Sequence, residues 1–205
     1  MTRLLVAIAL LFSISACSEF KDLDEVPEPL GRFLLGHNIV VANEPEIGPL
    51  SRKVTDEAWE ASVTSAIDER FSRYDGDKYF HIAVKVEGYV LALPGIPLVA
   101  SPSSSLIIGV TLWDDALGAK INDEPKRFVV FERLSGETLL SSGLTQNKEQ
   151  QMENLARNAA KMIHNWMLET PELFGDASLM DPATTSPGRP RLQPEATTDE
   201  PEPDA

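Results

Sequence analysis

Cysteine is almost missing from this chain: Cys17 is the only one in 205 residues. A lone thiol cannot close an internal disulfide, and it excludes a zinc site built from several cysteines. Histidine is scarce as well. His37, His81 and His164 stand apart in sequence, so the paired spacing of a zinc-protease helix is absent. Neither a Gly-x-Ser-x-Gly elbow, nor a Walker A loop, nor Gly-x-Gly-x-x-Gly occurs. No cofactor, metal ligand or catalytic residue is therefore expected. Positive charge is also in short supply. Lys and Arg total 18 against 32 Asp and Glu, a formal net charge of −14. Such a surface repels phosphate backbones, so no nucleic-acid partner is expected. It also lacks a polybasic patch for anionic lipid.

What is present begins at the N-terminus. Arg3 precedes an uncharged stretch from Leu4 to Ile14, followed by the small residues Ser15 and Ala16. A basic start, an apolar stretch of about 7–15 residues and small residues before a cut make a secretory signal. The stretch is shorter than the ~20 residues that cross a bilayer. Residues 1–16 are accordingly set aside from the fold.

Ile14-Ser15-Ala16-Cys17 resembles the lipobox of bacterial lipoproteins. The resemblance implies that Cys17 carries diacylglycerol as a thioether, that cleavage falls before it, and that its freed amine is acylated. The membrane is then the first partner, reached through lipid on Cys17. One acyl chain binds only marginally, at about 0.8 kcal/mol per buried CH₂, whereas two or three on one residue anchor stably. In enteric lipoproteins an aspartate after the cysteine favours the inner membrane. Ser18 stands there in this chain. By that resemblance the expected site is the outer membrane, on the leaflet facing the periplasm.

Four parts follow along the chain: the signal over 1–16, a lipidated N-terminus and tether over 17–36, a domain over 37–174, and an acidic Pro-rich tail over 175–205. The tether is read from Pro27, Pro29 and Gly31 among charged residues, with Leu34 and Leu35 docking near its end. The tail has almost no large apolar side chains and is expected to be disordered. Within the domain, Ile39-Val40-Val41 is a short β-type run. Thr55 is placed to cap a helix whose stripe is Trp59, Val63, Ile67, Phe71 and Tyr74. Phe80, Ile82, Val84 and Val86 alternate with polar or small residues, and Gly88 suggests a bulge. Further strands are expected over 105–113, 128–131 and 138–141, the last two joined by a turn at 134–137. Asn147 and Gln150 fit a capping box for a second helix over 147–168, with Pro171 beyond its end. This order predicts an α+β fold, an antiparallel sheet of about four to five strands with two amphipathic helices packed on one face. The layout resembles that of uncharacterised alphaproteobacterial envelope lipoproteins and of accessory lipoproteins in lipid transport, over roughly residues 37–170, and implies no functional residue.

Functional candidates are few. His81 and His164 read as packing or surface residues. Asp114 and Asp115 sit at a strand end before a turn, where aspartate commonly makes local hydrogen bonds. Glu132 and Glu137, near the next turn, read the same way. Trp59 and Trp166 read as core, and Trp113 as half exposed. The segment 91–102 is less ordinary, because Leu93, Ile96, Leu98 and Val99 fall where a loop is normally polar. It either folds over the core or contacts an envelope protein partner or the bilayer surface. Three functional readings follow. The first is a non-enzymatic interaction or accessory module of envelope assembly or transport. The second is a lipid- or amphiphile-binding protein with a groove between helices and sheet. The third is an enzyme, which would need Asp114, Asp115 or His81 to converge in a cleft.

Overall fold

The computed structural model describes residues 21–93, 104–132 and 147–176. Cys17, Ile96, Leu98, Val99, the expected 134–141 hairpin and nearly all of the tail lie outside these residues. The elements are β1 (Phe33–Val41), β2 (Glu46–Ile47), α1 (Asp56–Phe71), β3 (Lys78–Val90), β4 (Ser105–Asp114), β5 (Ala119–Lys120), β6 (Lys126–Phe131) and α2 (Lys148–Leu168). Short 3₁₀ turns at Lys21–Leu23 and Pro171–Phe174 flank them.

Both helices start where their caps dictate. The Thr55 side chain accepts the Ala58 N–H, satisfying one of the orphan donors at the start of α1. Asn147 and Gln150 form the reciprocal box expected for α2. Trp59, Val63, Ile67 and Phe71 of α1 are fully buried, as are Leu155, Ala156, Ala159, Ile163 and Met167 of α2. Trp166 is partly buried against the Phe128 ring, 5.9 Å between centroids.

Among the described residues the fold is α+β with six strands, mostly antiparallel. β3 and β4 form a long antiparallel pair, shifted between Val86 and Gly88 at the expected bulge. β6 and the short β5 both pair antiparallel with β4. The sheet is mixed rather than wholly antiparallel, however. β1 and β2 both run parallel to β3. A strand, a helix and a second strand in succession is the arrangement that a parallel pair requires, because parallel neighbours need a crossover of a dozen or more residues. α1 supplies that crossover.

The tether reading over 17–36 is also corrected at its C-terminal end, from Leu30 onward. β1 begins at Phe33, six residues before the apolar run at Ile39. Leu30, Phe33 and Leu35 are at most 4 % exposed. The Phe33 ring stacks on Phe80 at 5.6 Å and meets Phe71, Tyr74 and Phe174 edge-on or tilted, all within 5.9 Å. The Arg32 N–H donates to the Phe174 carbonyl at 3.0 Å. The Arg32 guanidinium holds Asp77 through two bonds of 2.7 and 2.6 Å. Gly76 allows this turn to close, since a Cβ there would collide with the Arg32 backbone carbonyl.

Phe33 tests this boundary. Phe33→Ala should lower the unfolding free energy by about 3–5 kcal/mol in urea titrations, the usual cost of emptying an aromatic core site. A change within about 0.5 kcal/mol, typical of surface sites, would return residue 33 to the tether.

Candidate functional site

Alternation along the strands gives the sheet two unlike faces. Phe80, Ile82, Val84 and Val86 of β3 and Leu106, Ile108, Val110 and Leu112 of β4 are buried beneath the helices. The opposite face carries His37, Ile39 and Val41 of β1, Tyr79, His81, Ala83 and Lys85 of β3, and Ile107, Thr111 and Trp113 of β4. Most of these are half-buried or exposed. His37, His81, Asp114 and Asp115 are distributed over this open face and the end of the sheet where β3 begins.

His81, His37 and Asp115 come together there. The His37 backbone N–H donates to His81 Nδ1 at 2.8 Å, and His81 Nε2 lies 3.0 Å from Asp115 Oδ1. The two imidazole rings are 4.8 Å apart. This close seat depends on Gly36, where a Cβ would lie 2.5 Å from His81 Nδ1. An Nδ1 that accepts from a backbone N–H carries no proton, so Nε2 carries it and donates to Asp115. Both ring nitrogens are thus occupied. A general base needs one nitrogen free to face a substrate or nucleophile. The cluster joins β1, β3 and the β4–β5 turn, and His81 presents no such nitrogen.

Asp114 does not join it. Its Oδ2 accepts from Lys78 Nζ at 3.2 Å, and its Oδ1 accepts the Leu117 N–H of the turn that Gly118 closes with φ +58°. This is the local bonding expected of an aspartate at a strand end. Trp113 is half-buried with Lys120 Nζ 5.9 Å over its ring. Among the described residues, no group of three or more His, Cys, Asp or Glu side chains could hold a metal ion, and no helix is long and apolar enough to cross a membrane.

Apolar side chains gather at the other end of the open face. Register places Phe131, Ser105 and Val90 in one row, and Val129, Ile107 and Gly88 in the next. Phe131 is 60 % exposed and Val129 46 %. Leu93, half-buried, leaves β3 at this same end. Ile47 and Leu50, both exposed, lie along the β2 edge at this end of the sheet, since β2 pairs with β3 at Tyr89 and Arg52 N–H donates to the Leu91 carbonyl. Sequence reading placed the apolar contact in residues 93–99 and missed Val129 and Phe131. Their alternation with buried Phe128 and Val130 was the available signal.

The groove expected between helices and sheet is occupied by the core side chains named above. An open cleft of about 560 Å³ lies instead between the N-terminal ends of α1 and α2, lined by Lys53, Val54, Ala58, Lys148, Glu149 and Met152 among others.

A second polar cluster ties the N-terminal segment to the C-terminal ends of the helices. Arg73 Nη1 donates to the carbonyls of Asp22, Leu23 and Glu25 at 3.3, 2.6 and 3.1 Å. The Asp22 carboxylate lies 2.9 Å from buried Arg70 and 3.2 Å from Lys161. Partial burial pushes its pKa up, but the hydrogen bonds and charges of Arg70 and Lys161 outweigh this and hold it below the usual carboxylate range. Tyr74 Oη donates to the Glu28 carbonyl at 2.8 Å and lies 2.6 Å from His164 Nε2. With that hydrogen committed to Glu28, the His164 Nε2–H donates to the Tyr74 oxygen. Burial, then the positive Arg70 and Arg73, push the His164 pKa down to about 4, and burial raises Tyr74 to about 12. Both are neutral at pH 7.

No family model matches the chain, and no curated protein does. Solved structures do overlap with it. A candidate lipoprotein from Caulobacter crescentus is similar at 15 % identity and a TM-score of 0.37, covering 65 % of this chain and 88 % of that one. A Xanthomonas campestris protein of the DUF330 family reaches 11 % identity and a TM-score of 0.37 over 71 % and 94 % of the two chains. A minor lipoprotein from Acinetobacter baumannii reaches 15 % and 0.27 over 62 % and 92 %. Likeness at this level assigns no function.

The depressed His164 pKa makes stability depend on pH. The unfolded chain takes up this proton near pH 6.5 and the folded one near 4, so the contribution is complete above pH 6.5 and is lost as pH falls toward 4. It amounts to at most about 3 kcal/mol. Denaturation midpoints should drop across this window, and His164→Gln should flatten that drop. Parallel pH profiles for the two proteins would refute the assignment.

Proposed function

We propose that the chain is a lipid-anchored, non-enzymatic interaction module of the bacterial cell envelope. The observation that carries this reading is the apolar patch of Val90, Ile107, Val129 and Phe131 on an open sheet face. Contiguous exposed apolar surface of this kind marks a protein contact more often than chance exposure does. Leu93 borders it, and Ile96, Leu98 and Val99 follow in sequence, so the proposed contact includes them. The occupant is an envelope protein offering an apolar surface. The role falls in envelope assembly or transport. The non-enzymatic character is supported by His81, whose two nitrogens are both engaged, and by Asp114, which is tied to Lys78 and a turn.

The anchor is the lipid on Cys17, and Ser18 supports the outer membrane, facing the periplasm. The α1–α2 cleft favours an alternative, binding of an amphiphile, because it combines Lys53 and Lys148 with apolar Val54, Ala58 and Met152.

Two measurements test the main reading. The native protein should begin at Cys17 with a diacylglyceryl and acyl mass, and Cys17→Ser should shift it from the membrane to the soluble fraction. A different first residue, or unchanged partitioning, would remove the anchor. Separately, Phe131→Asp should leave stability within about 0.5 kcal/mol yet abolish recovery of whichever envelope protein crosslinks to the wild-type patch. An unchanged crosslink would sink the patch.

A further inference from the structure

The N-terminal segment is fastened to one end of a long body. The contacts of Asp22, Leu23, Glu25 and Glu28 fall on Arg70, Arg73, Tyr74 and Lys161, at the C-terminal ends of both helices. Leu30 is buried just beyond them. The same end holds the start of β3, because the Lys78 N–H donates to the Arg32 carbonyl. The apolar patch lies where β3 finishes. Thirteen residues of β3 span about 40 Å.

Only residues 18–21 separate Cys17 from Asp22. Fully extended, that interval reaches at most about 18 Å. The chain gains nothing by lying along an anionic bilayer, since its formal net charge is −14. We propose that residues 22–30 are a clamp rather than a spacer, setting the domain on the lipid surface by its Arg73–Lys161 end and directing the Phe131 end away from the bilayer. The inference rests on the lipid-anchor reading above. It also chooses between the two contacts open to residues 93–99: a patch about 40 Å from the anchored end meets a protein and not the membrane that holds the chain.

The test uses the full, acylated protein on phosphatidylethanolamine–phosphatidylglycerol vesicles that contain an acceptor-labelled lipid. Because Cys17 is the sole cysteine and its sulfur is engaged by lipid, an introduced cysteine is the only free thiol for a donor dye. Ser72→Cys reports the clamped end and Leu50→Cys the opposite end. Both positions are exposed. Energy transfer should be severalfold higher from residue 72 than from residue 50. Releasing the clamp with Asp22→Ala plus Arg73→Ala should close most of that gap, as the leash lengthens toward Leu30. If that pair of changes unfolds the protein by circular dichroism, Lys161→Ala serves in its place and should narrow the gap. Protein that floats with the vesicles but transfers equally from both sites, or keeps its gap in the released variant, overturns the clamp and leaves the anchor standing. Protein that does not float at all overturns the anchor and the clamp together.

Discussion

Phe33 sits where β1, β3, the end of α1 and the C-terminal turn meet. Its ring touches Phe80 of the central strand, Phe71 at the end of the first helix, Tyr74 just past it and Phe174 at the C-terminal turn. Aromatic pairs at these separations contribute beyond the area that they bury. The knot also fixes geometry. With Phe33 in place, the start of β1 is held beside the start of β3, the Arg32–Asp77 pair closes the turn before β3, and Leu30 is drawn under the body. The polar contacts of residues 22–28 extend that docking outward. They are local bonds made possible by an apolar seam that has already placed the chain.

The same seam explains why the two ends of the sheet differ. Near Phe33 the open face carries hydrogen-bonded polar groups, with His81 wedged between the His37 amide and Asp115. At the far end no polar network covers it among the described residues, and Val129 and Phe131 are exposed. One end of the body is therefore engaged with its own chain, and the other offers unused apolar surface.

Much of this was legible in the sequence. The capping residues Thr55 and Asn147, the alternation from Phe80 to Val86 and the bulge before Gly88 all carry local physical signals, and each appears in place. The extent of β1 was not legible. Pro27, Pro29 and Gly31 with flanking charges look like a spacer by composition, and nothing local says that Phe33 will find four aromatic rings from distant positions. Direction of pairing was missed for a related reason: a strand run has no polarity of its own, and only its connection through α1 makes β1 parallel. The histidine cluster was invisible because His37 and His81 lie 44 positions apart and meet only through strand register.

The parallel docking of β1 has a mechanical meaning. Tension between a membrane and a bound partner would enter the body at residue 22 and run along the axis of β1. A strand pulled lengthwise against a parallel neighbour loads its ladder of hydrogen bonds together, in shear, instead of one at a time as in a peeling hairpin. An anchor at that end would thus load the fold along a direction in which its hydrogen bonds resist together.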